Sequence, residues 1–553
     1  MTKKKSSLTT RFLSYLDAHL LVYCTAFLLA FIPLYPKLPL FDIIPGYIVR
    51  VRLEDLLILG TSVIWAVQVL RKKAQLKTPL TPILTAYVVT AVLSTLSALF
   101  VIKTVPLHEI HIQKTVLHLL RNIEYFIVFF ITFSAIKSKK DVILFLKVIL
   151  LTFMAVTLYG VGQKYLYWPV YSTMNREFSK GIRLYLTEHA RVQSTFGGHY
   201  DLAAYIVMVL PLTLLALFAT TKKVYSYFLW MTFALGTWLL VVSAARTSFA
   251  ATLVAITAAL LLSAQKQTKP VIFFLKYASI VGAIFLFTFI QFGDDIYSRL
   301  LDTLEGYPKL HTAYHTANAQ RKYVLYEYIP ETLGLTDKMK NMTPQAPEGA
   351  LSTDELDEVL IATDQQPVFS RPNDVYVDVP DIVKVATTSA TGKTEIILIE
   401  QPRTYSDNAL RYGLSMAIRL DTLWPQAWQG FLKNPLLGSG YATLTKSSVA
   451  EFTEADSTDN NFLRVLGELG IVGFITFFGA IAVGLFHAYK LFTQQQKITL
   501  ETALGIGYIS ATIGLLLNAI FIDVFVSSKV AFTFWILTGM VVALTQIKKK
   551  QEK

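Results

Sequence analysis

DNNFLRVLGELGIVGFITFFGAIAVGLFHAY, residues 459–489, opens on polar side chains and runs on into an apolar stretch. At about 1.5 Å per residue a helix over that stretch is long enough to cross a bilayer core. Runs of this kind recur along the 553 residues. About twelve candidate spans meet the hydrophobic-window criterion, near 19–36, 53–70, 79–102, 117–136, 141–163, 201–220, 224–243, 246–263, 271–292, 462–489, 500–522 and 526–546. The pattern predicts an all-α polytopic membrane protein with one large extracytoplasmic loop domain.

Composition narrows the class. Hydrophobic residues make up 53% and charged residues 16%, against roughly 25% charged in an ordinary soluble domain. Aromatics at 13% suit a chain with many Trp and Tyr at lipid interfaces. The first apolar run is followed by Pro33, Pro36 and Pro39 rather than a small-residue cleavage site, so it reads as a retained anchor. The net charge of +13 does not point to nucleic acid, because Lys and Arg stand in short clusters between apolar runs, a topology signal. With Cys24 as the single cysteine, the chain has no disulfide framework and no Cys-based metal site.

The clusters KKK at 3–5, RKK at 71–73, KSKK at 137–140, KK at 222–223, Lys266 with Lys269, and KKK at 548–550 fall on one side of the alternating spans. The positive-inside rule makes that side cytoplasmic, with both termini there; the family resemblance drawn below implies that the membrane is the cytoplasmic (inner) one. The chain then divides into spans one to nine over 1–292, a large extracytoplasmic loop over 293–461, and the last three spans over 462–553. Within the loop, 297–340 and 408–445 read as helical. The turn-rich segment 341–407 carries VYVDVP, IVKVAT and TEIILIEQP and reads as a β-rich insertion with a small hairpin.

Polar residues on the loop side supply the candidate site. Arg246 follows Ser243-Ala244-Ala245 between two spans; it suits a phosphate fork or snorkels to headgroups. Arg191, His199 and Asp201 precede a span beside paired glycines, and Asp201 alone fits a helix cap. Arg419 begins R-x-x-x-L, ending at Leu423 near Trp424 and Trp428, which also fits an amphipathic helix at the interface. Asp459 is the candidate base for a hydroxyl proton, with Asp456 as neighbour and alternative and Asn460 as a polar partner; Asp456, Ser457, Thr458 and Asp459 also fit a cap for a helix starting at Asn460 or Asn461. Arg50, Arg52, Glu54 and Asp55 read as an interfacial charge cluster, and Arg121 with Glu124, spaced i, i+3, as a pair. No spacing supports a metal site.

Taken together, these segments resemble the O-antigen ligase and O-antigen polymerase superfamily of bacterial membrane glycosyltransferases. The resemblance rests on the span pattern with one late external loop and on Arg419-x-x-x-Leu423. It also rests on Asp459-Asn460, a nine-residue spacer and Gly470-x-x-Gly473, on PLLGSG at 435–440, on the Ser-x-x-Arg turn at Arg246, and on STFGGHYDLAAY. It implies a metal-independent enzyme without cofactor, moving a glycan from a polyprenyl (undecaprenyl) diphosphate-linked oligosaccharide donor to a hydroxyl of a glycan or lipid acceptor. In that reading Asp459, Arg246 and Arg419 are catalytic, and Arg191, His199 and Asn460 bind substrate. One departure is that Asp459 stands where the ligases carry histidine. The competing class is a transporter or flippase of lipid-linked glycans, which favours internal repeats and broken midplane helices; the sequence shows neither clearly.

Overall fold

A computed structural model describes residues 8–44, 47, 49–174, 178–187, 190–297, 312, 316, 319, 381–388, 394–401, 406–444 and 457–551. Among them, eleven helices are long and apolar enough to cross a membrane. In chain order the long helices are α1 (Leu8–Leu34), α2 (Leu53–Leu70), α3 (Thr81–Leu96), α4 (Glu109–Ala135), α5 (Lys139–Leu166), α6 (His199–Ala219), α7 (Lys223–Val242), α8 (Arg246–Ala264) and α9 (Pro270–Phe292). After the loop come the short α10 (Trp424–Lys433), then α11 (Asn461–Thr493), α12 (Leu500–Asn518) and α13 (Ser528–Gln551). The apolar part of α1, His19–Leu34, falls short of the others, because the helix stops ahead of Pro36, whose predecessor is biased away from helical backbone. The chain is therefore a mostly helical, multi-pass protein suited to a lipid bilayer.

Burial sorts the helices. In α6 83% of the spanning window is buried, and in the span Ser528–Ile547 of α13 89%, against 22% for α2 and 17% for α9. The first two form the middle of the bundle. α6 packs on α7, α8 and α12, while α13 packs on α4 and α11, which also meets α3, α10 and α12. The outer helices present side chains such as Leu59, Val63 and Phe287 outward, as a lipid-facing surface requires. Hydroxyls in the core close on their own helices, Thr213 onto the Val209 carbonyl at 2.9 Å and Thr533 onto Lys529 at 2.7 Å, so they need no partner from lipid.

Strands are few. β1 (Pro39–Phe41) pairs antiparallel with β2 (Val51–Arg52) and folds back the α1–α2 connection. β3 (Asp381–Thr388) pairs with β4 (Thr394–Gln401) from Asp381↔Gln401 to Thr388↔Thr394, a hairpin inside the segment read as β-rich. The expected strand at VYVDVP lies outside the described residues, as does most of the helical reading of 297–340. Because the helices alternate in direction, the lysine clusters at 71–73, 137–140, 222–223 and 266–269 share one end of the bundle. The α1–α2 connection, the starts of α4, α6 and α11, and the α12–α13 link share the other.

Candidate functional site

At that second end the connections surround a cavity of about 370 Å³. Lys37, Arg50 and Arg52 come from the α1–α2 connection, His118 and Arg121 from α4, Tyr200 and Asp201 from α6, and Ser457, Asp459, Arg464 and Asp523 from the entry of α11 and the α12–α13 link. Five cationic side chains and three carboxylates line it, leaving an excess of positive charge.

Most of the cations are held in place by acids behind the wall. Arg121 contacts Asp55 at 2.6 Å and Glu124 at 2.8 Å, the second being the i, i+3 pair expected from sequence. Arg52 lies 3.9 Å from Glu54, and its backbone N–H donates to Asp55 at 2.9 Å, closing the N-terminus of α2. Arg50 pairs with Asp42 at 3.4 Å. Lys37 is the exception: it is buried, donates to the Ser528 hydroxyl at 3.0 Å, and has no carboxylate within 4 Å among the described residues. Burial lowers its ammonium pKa, and the neighbouring Arg52 cation lowers it further, against Asp201 and Glu54. An unpaired buried ammonium beside guanidinium groups is a site where a multiply charged anion gains strongly.

The opposite wall is built around Asp523. Its carboxylate accepts from the Ser457 hydroxyl at 3.2 Å, the Thr458 N–H and hydroxyl at 3.1 Å each, the Asn460 N–H at 3.1 Å and Arg464 at 2.9 Å. This clasp holds Asp459 in left-handed backbone, φ +50°. Asp459 Oδ1 accepts from Ser457 at 2.7 Å, and Oδ2 meets the Arg419 guanidinium at 3.1 Å. Asn460 is the N-cap of α11, its side chain accepting from the Leu463 N–H at 3.0 Å. The cap is thus Asn460 itself, which leaves the Asp459 carboxylate free of that duty.

Arg419 comes from a π-helical turn, Arg419–Leu423. Leu423 is buried, Asp421 faces away to Ser406 and Asn408, and Arg419 reaches the Phe521 carbonyl at 3.3 Å as well as Asp459. Arg191 contacts His199 Nε2, and it sits 3.4 Å from the Tyr200 hydroxyl with its guanidinium over that ring. Tyr200 carries this group to the cavity wall. Asp201 corrects a sequence expectation: the N-cap of α6 is Gly198, without a side-chain bond, and Asp201, in the first turn, faces the cavity instead. Arg246 is exposed at the start of α8 and does not line the cavity.

The glycine motif serves the backbone. α11 is broken at Gly470, φ +65° and ψ −167°, a conformation open essentially to glycine alone. The peptide groups freed by the break pair with the loop 435–440. Ser439 N–H donates to the Gly467 carbonyl at 2.8 Å and Gly440 N–H to Glu468 at 2.9 Å, while Ile471 N–H donates to Pro435 at 2.9 Å. PLLGSG and G-x-x-G are two halves of one seam. Beneath it lie Arg464 with Glu468 at 3.5 Å and the buried Tyr87–Tyr441 hydroxyl pair at 3.0 Å; burial raises the Tyr441 pKa far above the usual phenol range.

Sequence reasoning did not single out Lys37, His118, Arg464 or Asp523. Arg464 and Glu468 carried a usable signal, since ionisable residues inside an apolar span are functional candidates by default. Among the described residues, no group of three His, Cys, Asp or Glu side chains is placed to hold a metal ion. Neither a protein-family model nor a curated protein matches the sequence.

Proposed function

We propose that the protein is a membrane glycosyltransferase of the O-antigen ligase/polymerase kind, which takes a glycan from a polyprenyl diphosphate-linked donor and joins it to a hydroxyl of a glycan or lipid acceptor. The observation that carries this reading is one cavity, at the end of the bundle away from the lysine clusters, with a cationic wall of Lys37, Arg50, Arg52 and Arg121 facing Asp459. The acceptor oxygen attacks the anomeric carbon, the bond from that carbon to the diphosphate oxygen breaks, and the electron pair leaves with the diphosphate. Its growing charge is met by the preorganised cations, and the acceptor proton passes to Asp459. Displacement in line inverts the anomeric centre. Arg419 acts through Asp459, fixing the direction of its carboxylate.

A broken helix also suits a transporter. Here, however, the groups freed at Gly470 pair with 435–440 rather than with the cavity, which favours chemistry over passage.

Transfer by purified protein from a polyprenyl diphosphate-linked oligosaccharide, with EDTA and without nucleotide, tests the proposal. A ladder of longer lipid-linked glycans identifies a polymerase, and a single transfer to an added acceptor identifies a ligase. No transfer, together with movement of the intact donor across proteoliposomes, overturns it. Asp459→Asn is expected to slow transfer by about a hundredfold, the low end of general-base contributions. Arg419→Lys is expected to cost about tenfold, because a point charge cannot hold Asp459, the Ser415 hydroxyl at 2.8 Å and the Phe521 carbonyl together as the planar fork does. Arg246→Ala, outside the cavity wall, is expected to retain transfer within about threefold, since exposed charges contribute little; a loss as large as that of Asp459→Asn would place Arg246 in the reaction.

A further inference from the structure

A crevice of about 670 Å³ lies at the lysine-rich end, between α5, α6, α7 and the start of α12. Its walls are aliphatic and aromatic, among them Leu150, Leu212, Leu215, Phe228 and Leu504, and Lys147 and Tyr225 stand in its lining. Lys147 Nζ lies 6.0 Å from the Tyr225 ring centroid and Lys222 Nζ 5.8 Å from the same centroid. Two ammonium groups thus converge on one ring. Neither has a carboxylate within 4 Å among the described residues; the acid nearby in sequence to the crevice, Glu501, is engaged by Lys139 at 2.5 Å. Lys147 sits about 12 Å along α5 from its first residue, with its side chain exposed.

We propose that this crevice binds one anionic phospholipid, with an acyl chain between α5, α6, α7 and α12 and its phosphate between Lys147 and Lys222. The apolar walls match the chain, and the ammonium groups of Lys147 in the lining and of Lys222 beside Tyr225 match the headgroup. A zwitterionic lipid offers the same chain but cancels its own phosphate charge. The proposal is independent of the chemistry at the far end of the bundle.

Native mass spectrometry of the full chain, delipidated and then given phosphatidylglycerol or phosphatidylcholine, tests it. One phosphatidylglycerol per chain is expected to be retained at least about tenfold more strongly than phosphatidylcholine, equivalent to about 1.4 kcal/mol. The double variant Lys147→Gln/Lys222→Gln, altered only at exposed side chains, is expected to bring the two lipids to parity. Ala216→Phe, which fills the crevice and leaves both lysines in place, is expected to weaken retention of phosphatidylglycerol. Equal retention of the two lipids by the unaltered protein, or unchanged phosphatidylglycerol retention in either variant, overturns the proposal. So does inorganic phosphate raising the melting temperature as much as phosphatidylglycerol does, because the chain would then contribute nothing.

Discussion

Asp523→Ala is expected to abolish glycan transfer and to lower stability by on the order of 3–5 kcal/mol, the cost of leaving one partner of a buried pair uncompensated. The carboxylate is 11% exposed and its partner Arg464 6%. Arg464 would keep Glu468, a longer contact at 3.5 Å. The change also removes the acceptor for Ser457, Thr458 and Asn460 at one stroke. Asp459 would then lose what holds it at φ +50°, a conformation that costs a non-glycine residue about 1–3 kcal/mol. Melting in detergent and transfer should fall together. Asp523→Asn, which keeps an acceptor oxygen but not the charge, should fall between the two states. Asp42→Ala is the control: its pair with Arg50 is 3.4 Å long, and Asp42 is 32% exposed. Such a pair contributes about 0–1 kcal/mol. Equal melting temperatures for Asp523→Ala and Asp42→Ala would show that Asp523 does not organise the turn.

Gly470→Ala is expected to destabilise by about 4 kcal/mol, adding backbone strain to overpacking. A Cβ at 470 would stand 2.5 Å from the Leu436 carbonyl carbon and oxygen and 2.6 Å from the Gly438 nitrogen. These are backbone atoms of the loop that closes the broken helix, so they cannot swing aside as a side chain would. The strain falls on the seam, and the expected result is loss of the folded peak on size exclusion or a sharply lowered melting temperature. Gly282→Ala, within α9 and with nothing inside 4 Å of its Cβ, should be neutral or stabilising by about 0.5–1 kcal/mol. Normal melting of Gly470→Ala would mean that the helix can close without the break.

The helices were legible because apolar length is a local property: Leu53–Leu70 is written in eighteen consecutive residues. Arg121 with Glu124 was legible for the same reason, one helical turn joining them. The meeting of Arg419 and Asp459 was anticipated only as two motifs on the same side; their 3.1 Å contact depends on the α12–α13 link, which nothing local announces. Lys37 and Asp523 were missed because each looks ordinary in its own neighbourhood. Lys37 follows Pro36 in a short connection, and Asp523 is a lone acid in FIDVF. Their importance comes from neighbours distant in sequence, Ser528, 491 residues on, for the one and the 457–464 turn, 59 residues back at Arg464, for the other. Gly470 and Gly473 were noticed for their spacing, but that the first marks a helix break could be read only once PLLGSG was seen lying against it.

The seam between 435–440 and the broken helix has one more consequence. Together with the tie of Arg419 to Phe521, it anchors on the bundle the returning chain, which Asp421 binds to itself through Ser406 and Asn408. The cavity walls are therefore set downstream of residue 405 and upstream of residue 298. The stretch between those points can lengthen or shorten without resetting them, and the closure cost rises only logarithmically, about 0.6 kcal/mol for each doubling of length. A change in the length of that stretch is therefore expected to leave the cavity walls where they are.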